Sequence, residues 1–84
     1  MVSVEISPEA LEDLDRLPES MIMRIRAVLS RLENWPEISG AKALRHDLKG
    51  HFRVRTGDWR VLFHLEGSLL VVDRVDNRKD VYER

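Results

Sequence analysis

The chain has no cysteine in its 84 residues. That removes disulfides, thiolate nucleophiles and cysteine-ligated metal clusters, and it accords with a reducing compartment without requiring one. Long apolar runs are missing as well. The longest, Leu69 to Val72, falls far short of the roughly 20 residues a membrane-spanning helix takes. Met1 is followed by the alternating Val2-Ser3-Val4-Glu5-Ile6, not by a basic segment and an apolar block, so no secretory leader is expected. These features read as a soluble, cytoplasmic protein with no membrane partner. A strong charge of one sign is also absent. The formal net charge is −1, which argues against a polycation that holds its partners by bulk charge alone.

What is present suits one packed domain spanning residues 1–84, since 43% of the residues are hydrophobic. The charge is unevenly spread. Residues 1–40 carry four arginines against eight acids, net −4, and residues 41–84 carry ten Lys/Arg against seven acids, net +3. Two readings fit that asymmetry: a basic face for phosphate, or acidic helices paired with basic strands.

Val2, Val4 and Ile6 alternate with Ser3 and Glu5, the pattern of a half-buried strand. Ser7-Pro8-Glu9 supplies a hydroxyl cap, a proline at the first helical position and an early acid, which starts a helix. Its apolar stripe is Ala10, Leu11, Leu14 and Leu17, interrupted at Pro18. A second helix is expected over 19–34, where Ile22, Ile25, Leu29 and Leu32 recur at three and four with Val28 beside them. The short connection makes the pair an antiparallel hairpin. Residues 37–47 read as a connection with one helical turn near Ala41 to Leu44. Three strands follow, over 52–55, 59–65 and 69–75, with turns at Thr56-Gly57-Asp58 and Glu66-Gly67-Ser68. The predicted fold is α+β in the order β-α-α-β-β-β, an antiparallel-rich sheet with the helical hairpin packed on one face.

Strand parity then orders the charges. If Phe52 and Val54 face the helices, Arg53 and Arg55 project from the other face. With Trp59, Val61 and Phe63 also facing in, Arg60 joins them. Three like charges on one face fit a polyanion ligand.

Three segments resemble the RelE/ParE superfamily of type II toxin–antitoxin toxins: Leu48-Lys49-Gly50, Gly57-Asp58-Trp59-Arg60-Val61-Leu62, and Asn77-Arg78-Lys79-Asp80-Val81-Tyr82. The similarity covers nearly the whole chain in element order and leans toward the RelE branch. It implies a RelE-like microbial ribonuclease fold and a metal-independent endoribonuclease that cuts mRNA on the ribosome. A cognate antitoxin partner and a toxin–antitoxin hetero-oligomer are implied with it, and no cofactor. By the same resemblance Arg53, Arg55, Arg60, Arg78 and Tyr82 are the catalytic set, and Lys49 and Lys79 bind RNA. The resemblance also admits a ParE-like gyrase inhibitor that acts by binding, and a family member that has lost catalysis.

Arginine suits phosphate because its planar fork makes bidentate, charge-assisted bonds. It is a poor general base, because a guanidinium holds its proton, so Arg55 leaves the proton acceptor unnamed. Arg78 is read as proton donor or second clamp, and Tyr82 as a base-stacking or hydroxyl group. His46, His51 and His64 match no metal-ligand spacing. His64 shares the parity of Arg60, while His46 and His51 are expected at the surface. Asn77 stands where many relatives of this kind carry a histidine.

Overall fold

The structure is a computed structural model that describes residues 2–77. Strand β1 (Ser3–Ile6) leads into α1 (Pro8–Asp15) and α2 (Glu19–Leu32). The chain continues through β2 (Ala41–Ala43), β3 (His51–Thr56), β4 (Trp59–Glu66) and β5 (Leu69–Asn77). The sheet order is β1-β5-β4-β3-β2. β1 runs parallel to β5 and every other neighbouring pair is antiparallel.

Local chemistry sets the boundaries. Ser7 caps α1 by accepting from the Ala10 N–H at 3.1 Å, and its own hydroxyl donates to the Asp73 carbonyl at 3.0 Å. One side chain thereby starts the helix and ties it to β5. Both hairpin loops are Gly-X pairs, Gly57-Asp58 and Gly67-Ser68, with φ +61° at each glycine. A positive φ at the first loop position matches the right-handed twist of the flanking strands.

The core lies between the helices and one face of the sheet. Ala10, Ile25, Val28 and Leu32 meet Val54, Val61, Phe63, Leu70, Val72 and Val75, all buried. Burying side chains of this size contributes about 1.5–3 kcal/mol each for the larger ones. Trp35 closes one end, with its ring 4.8 Å from Phe52 and 5.3 Å from Phe63 in edge-to-face contacts.

Three details depart from the sequence reading. Residues 41–43 form a fifth strand on β3, not a helical turn; the short helical turn is a 3-10 segment at His46–Leu48. The second helix ends at Leu32, two residues early. Leu11 and Ile22, read as core, are exposed at 51% and 37%, because each lies beside its helix's buried line rather than on it.

One irregularity in the β4–β5 ladder sets the layout of the open face. Leu62 pairs with Arg74 while its neighbour Phe63 pairs with Val72, leaving Asp73 as the extra residue of a β-bulge. Before the bulge Val72 faces the core, and after it Val75 does. Asp73 and Arg74, adjacent in sequence, are both freed from the apolar side.

Candidate functional site: the open face of the sheet

Residues directly opposite in an antiparallel ladder share a face, so the register places the arginines. Arg55 stands opposite Arg60, and Arg60 opposite Asp76, giving one row across β3, β4 and β5. The next row runs Lys42, Arg53, Leu62, Arg74 across four strands. The expected trio Arg53, Arg55 and Arg60 therefore does share the open face. Lys42 joins it, a residue missed because its strand was read as a helical turn.

The trio is not uniform in burial. Arg55 is exposed and Arg53 half-buried, whereas Arg60 is only 6% exposed, across from Asp76 at 8%. A guanidinium that deep is held in place by its surroundings, the kind of pre-set donor that can meet developing charge without reorganising. A shallow pocket of about 150 Å³ lies alongside, lined by Asp13, Arg16, Trp59, Arg74, Val75, Asp76 and Asn77. Lys49 is exposed in the loop before β3. Arg78, Lys79 and Tyr82 lie outside the described residues.

Arg74 and Asp13 anchor the edge of this face. Arg74 donates through Nε to Asp13 Oδ2 at 2.8 Å and through Nη2 to Oδ1 at 3.1 Å, a bidentate pair, and reaches Asp76 Oδ1 at 3.3 Å. Asp13 Oδ2 also accepts from the Val75 N–H at 2.8 Å, so a helix side chain satisfies β5 where β1 has stopped covering it. Burial of Asp13 would raise its pKa, but the Arg74 and Val75 hydrogen bonds outweigh that and hold the carboxyl below its ordinary value. The same bond to Asp13 raises Arg74.

Beyond the Arg53 row lies a histidine row. His51 stands opposite His64, with ring centroids 5.1 Å apart. Asp73, the bulge residue, reaches His64 Nδ1 at 2.8 Å, and Glu66 reaches His64 Nε2 at 2.8 Å. His51 Nε2 is 3.6 Å from the same Asp73 oxygen. The hydrogen bonds to Asp73 first, and Glu66 second, raise the His64 pKa above its usual value. The Asp73 carboxylate thereby serves His64. His51, expected at the surface, is part-buried within this group.

The fold recurs in known proteins. The family model for the ParE toxin of the type II toxin–antitoxin system parDE matches residues 4–82. Toxin RelG of Mycobacterium tuberculosis is 33% identical, with 98% of this chain and 97% of that protein aligned. Toxin RelE3 of Methanocaldococcus jannaschii is 25% identical over 87% of this chain and 86% of its own length. Among solved structures, the RelBE2 toxin–antitoxin complex of Mycobacterium tuberculosis superposes with a TM-score of 0.80 at 29% identity, covering 92% of this chain and 98% of that one. YafQ from Escherichia coli shares the fold at a TM-score of 0.79 and 17% identity, over 98% and 99% of the two chains. With the family model, the relatives and the fold in agreement over nearly the whole chain, this chain belongs to the RelE/ParE superfamily as a RelE-like toxin of a type II toxin–antitoxin system.

Proposed function

We propose that this toxin is an endoribonuclease that cuts mRNA on the ribosome. The observation that carries the reading is the pair of adjacent register rows placing Arg53, Arg55 and Arg60 on one open face. RNA cleavage of this kind proceeds by attack of a 2'-hydroxyl on the adjacent phosphate. The pentacovalent transition state gathers charge on its non-bridging oxygens, and fixed donors that strengthen with that charge lower the barrier by about 3–4 kcal/mol each. Arg60, buried and opposite Asp76, is the fixed clamp, and Arg53 the second. Arg55 supplies charge rather than proton transfer, since a guanidinium keeps its proton. Arg78 donates to the leaving oxygen or clamps the phosphate, Tyr82 stacks on a base, and Lys49 and Lys79 hold the RNA backbone. None of these roles calls on a metal.

A cognate antitoxin is the expected partner in a hetero-oligomer in the cytoplasm. The neighbouring RelBE2 structure is a toxin–antitoxin complex. Exposed Leu11, Ile22 and Met23 on the helical hairpin offer an apolar surface for a partner's amphipathic segment.

A second reading is favoured by the family model's own description as a ParE toxin: inhibition of DNA gyrase by binding, without RNA chemistry. Induction of the protein in translating cells with mapping of mRNA 5' ends separates the two. Cuts inside translated codons, lost in Arg60→Ala, support the ribonuclease. Intact mRNA with accumulated gyrase–DNA complexes selects the gyrase inhibitor.

A further inference from the structure

The histidine row lies outside the arginine chemistry, and its geometry points to a function of its own. We propose that His51, His64 and Asp73 form a binding site for a divalent transition-metal ion of the zinc class, with Glu66 beside it. The three side chains each offer one ligand atom, and these atoms lie within 4.8 Å of one another. Ligand atoms around a tetrahedral zinc ion, bound at about 2.0–2.2 Å, are about 3.3 Å apart. The Asp73 Oδ2 oxygen already sits 2.8 Å from His64 Nδ1 and 3.6 Å from His51 Nε2. Small side-chain rotations about the χ angles of His51 and His64 would bring the three donors to that spacing.

The backbone holds the site. His51 and His64 are direct cross-strand partners on β3 and β4, and the β-bulge presents Asp73 from β5. Three neighbouring strands thus each deliver one ligand, a more rigid base than a loop. Bulges re-aim side chains at functional positions. The ligands are reachable, with side-chain exposures of 36% for His51, 22% for His64 and 28% for Asp73. His51 Nδ1 is buried, which leaves Nε2 as the nitrogen directed to the ion.

The donor chemistry sets the class of metal. Two imidazoles and one carboxylate suit zinc and its neighbours, whereas magnesium and calcium take oxygen donors almost exclusively. Without an ion, both His64 nitrogens face carboxylate oxygens at 2.8 Å, so a proton on each nitrogen holds the group together. The metal takes the place of the Nδ1 proton, which passes to the buffer, so binding is weaker at lower pH. The bound ion would pin β3, β4 and β5 together next to the Arg53 row.

The test is isothermal titration of the untagged full-length chain with zinc chloride, repeated in two buffers of different ionisation enthalpy. The expected result is one ion per chain with proton release, and affinity at least about tenfold weaker in His64→Ala and in Asp73→Asn. The thermal midpoint should rise with zinc in the wild type and not in those variants. His46→Ala, on the 3-10 turn, should bind as the wild type does. The proposal is overturned by no binding in the folded wild type, by unchanged affinity in both ligand variants, by loss in His46→Ala, or by magnesium binding equally well. Circular dichroism of Asp73→Asn, a substitution of equal size, separates loss of the site from loss of the fold.

Discussion

The two ends of the open face are built from the same strands and differ in how their charge is met. At one end Arg55 and Arg60 stand in a row with Asp76, and Arg53 lies in the next row beside Lys42. Among the described residues of these two rows cations outnumber acids, and Asp76 also accepts from Arg74. At the other end each ring nitrogen of His64 has its own carboxylate oxygen at 2.8 Å. The first end gathers three arginines on adjacent strands. The second is balanced locally by its own acids. One sheet face thus carries clustered arginines at one end and a histidine flanked by carboxylates at the other.

Removing the buried Arg60 is expected to break the first end most severely. Arg60→Ala should lower mRNA cleavage by about 10²–10³-fold, the scale for losing one fixed transition-state donor. Arg60→Lys should recover little, because a point charge does not reproduce the fork. Cleavage assayed alongside circular dichroism checks that the loss is chemical and not structural.

The anchor beside that end is next. Asp13→Ala should cost about 2 kcal/mol in urea unfolding, since it leaves the Val75 N–H and Arg74 without their acceptor. The pH dependence has a definite sign. Asp13 has a lowered pKa in the folded state, so its contribution is present above the unfolded carboxyl value and lost as pH falls through the folded one. The wild type should therefore weaken on acidification below about pH 4, and Asp13→Asn should flatten that slope.

Arg55→Ala should reduce cleavage by about tenfold with little change in stability. Its guanidinium is exposed, and a solvent-screened charge is worth less than a buried one. An effect equal to that of Arg60→Ala would erase the gradation between the two.

The smallest effect belongs to the balanced end. His64 has a raised pKa, so its stabilisation is complete below the unfolded value near 6.5 and is lost as pH rises through the folded one. In chelator-containing buffer the wild type should lose about 0.5–1 kcal/mol on that rise, and His64→Gln should show no such slope in urea unfolding.

The helix start at Ser7, the break at Pro18 and the two Gly-X turns were legible in the sequence because each is a local steric or hydrogen-bonding demand. So was the shared face of Arg53, Arg55 and Arg60, which needs only period-two alternation of apolar and charged positions on either side of the Gly57 turn. The same turn carried more than was taken from it. A loop of Gly57-Asp58 that pairs Thr56 with Trp59 also pairs His51 with His64, so the histidine pair followed from register alone. Asp73 did not, because the bulge between Leu62 and Phe63 comes from long-range packing with no local signature. Strand β2 was hidden for a related reason. Ala41-Lys42-Ala43 has weak strand preference and is extended because β3 offers it an edge. Asp13 left a faint signal: an acid three residues from Ala10 and one before Leu14, on the apolar side of α1, is out of place unless something receives it.

The most direct test of the central claim is a reconstituted one. Purified wild-type protein, Arg60→Ala and Arg53→Ala would each be mixed with ribosomes stalled on a defined message, and the 5' ends of the RNA mapped. The account predicts cuts within the codon held by the ribosome for the wild type. It also predicts a loss of about 10²-fold or more in both variants. An intact message with wild-type protein, or cutting that persists in both arginine variants, would contradict it.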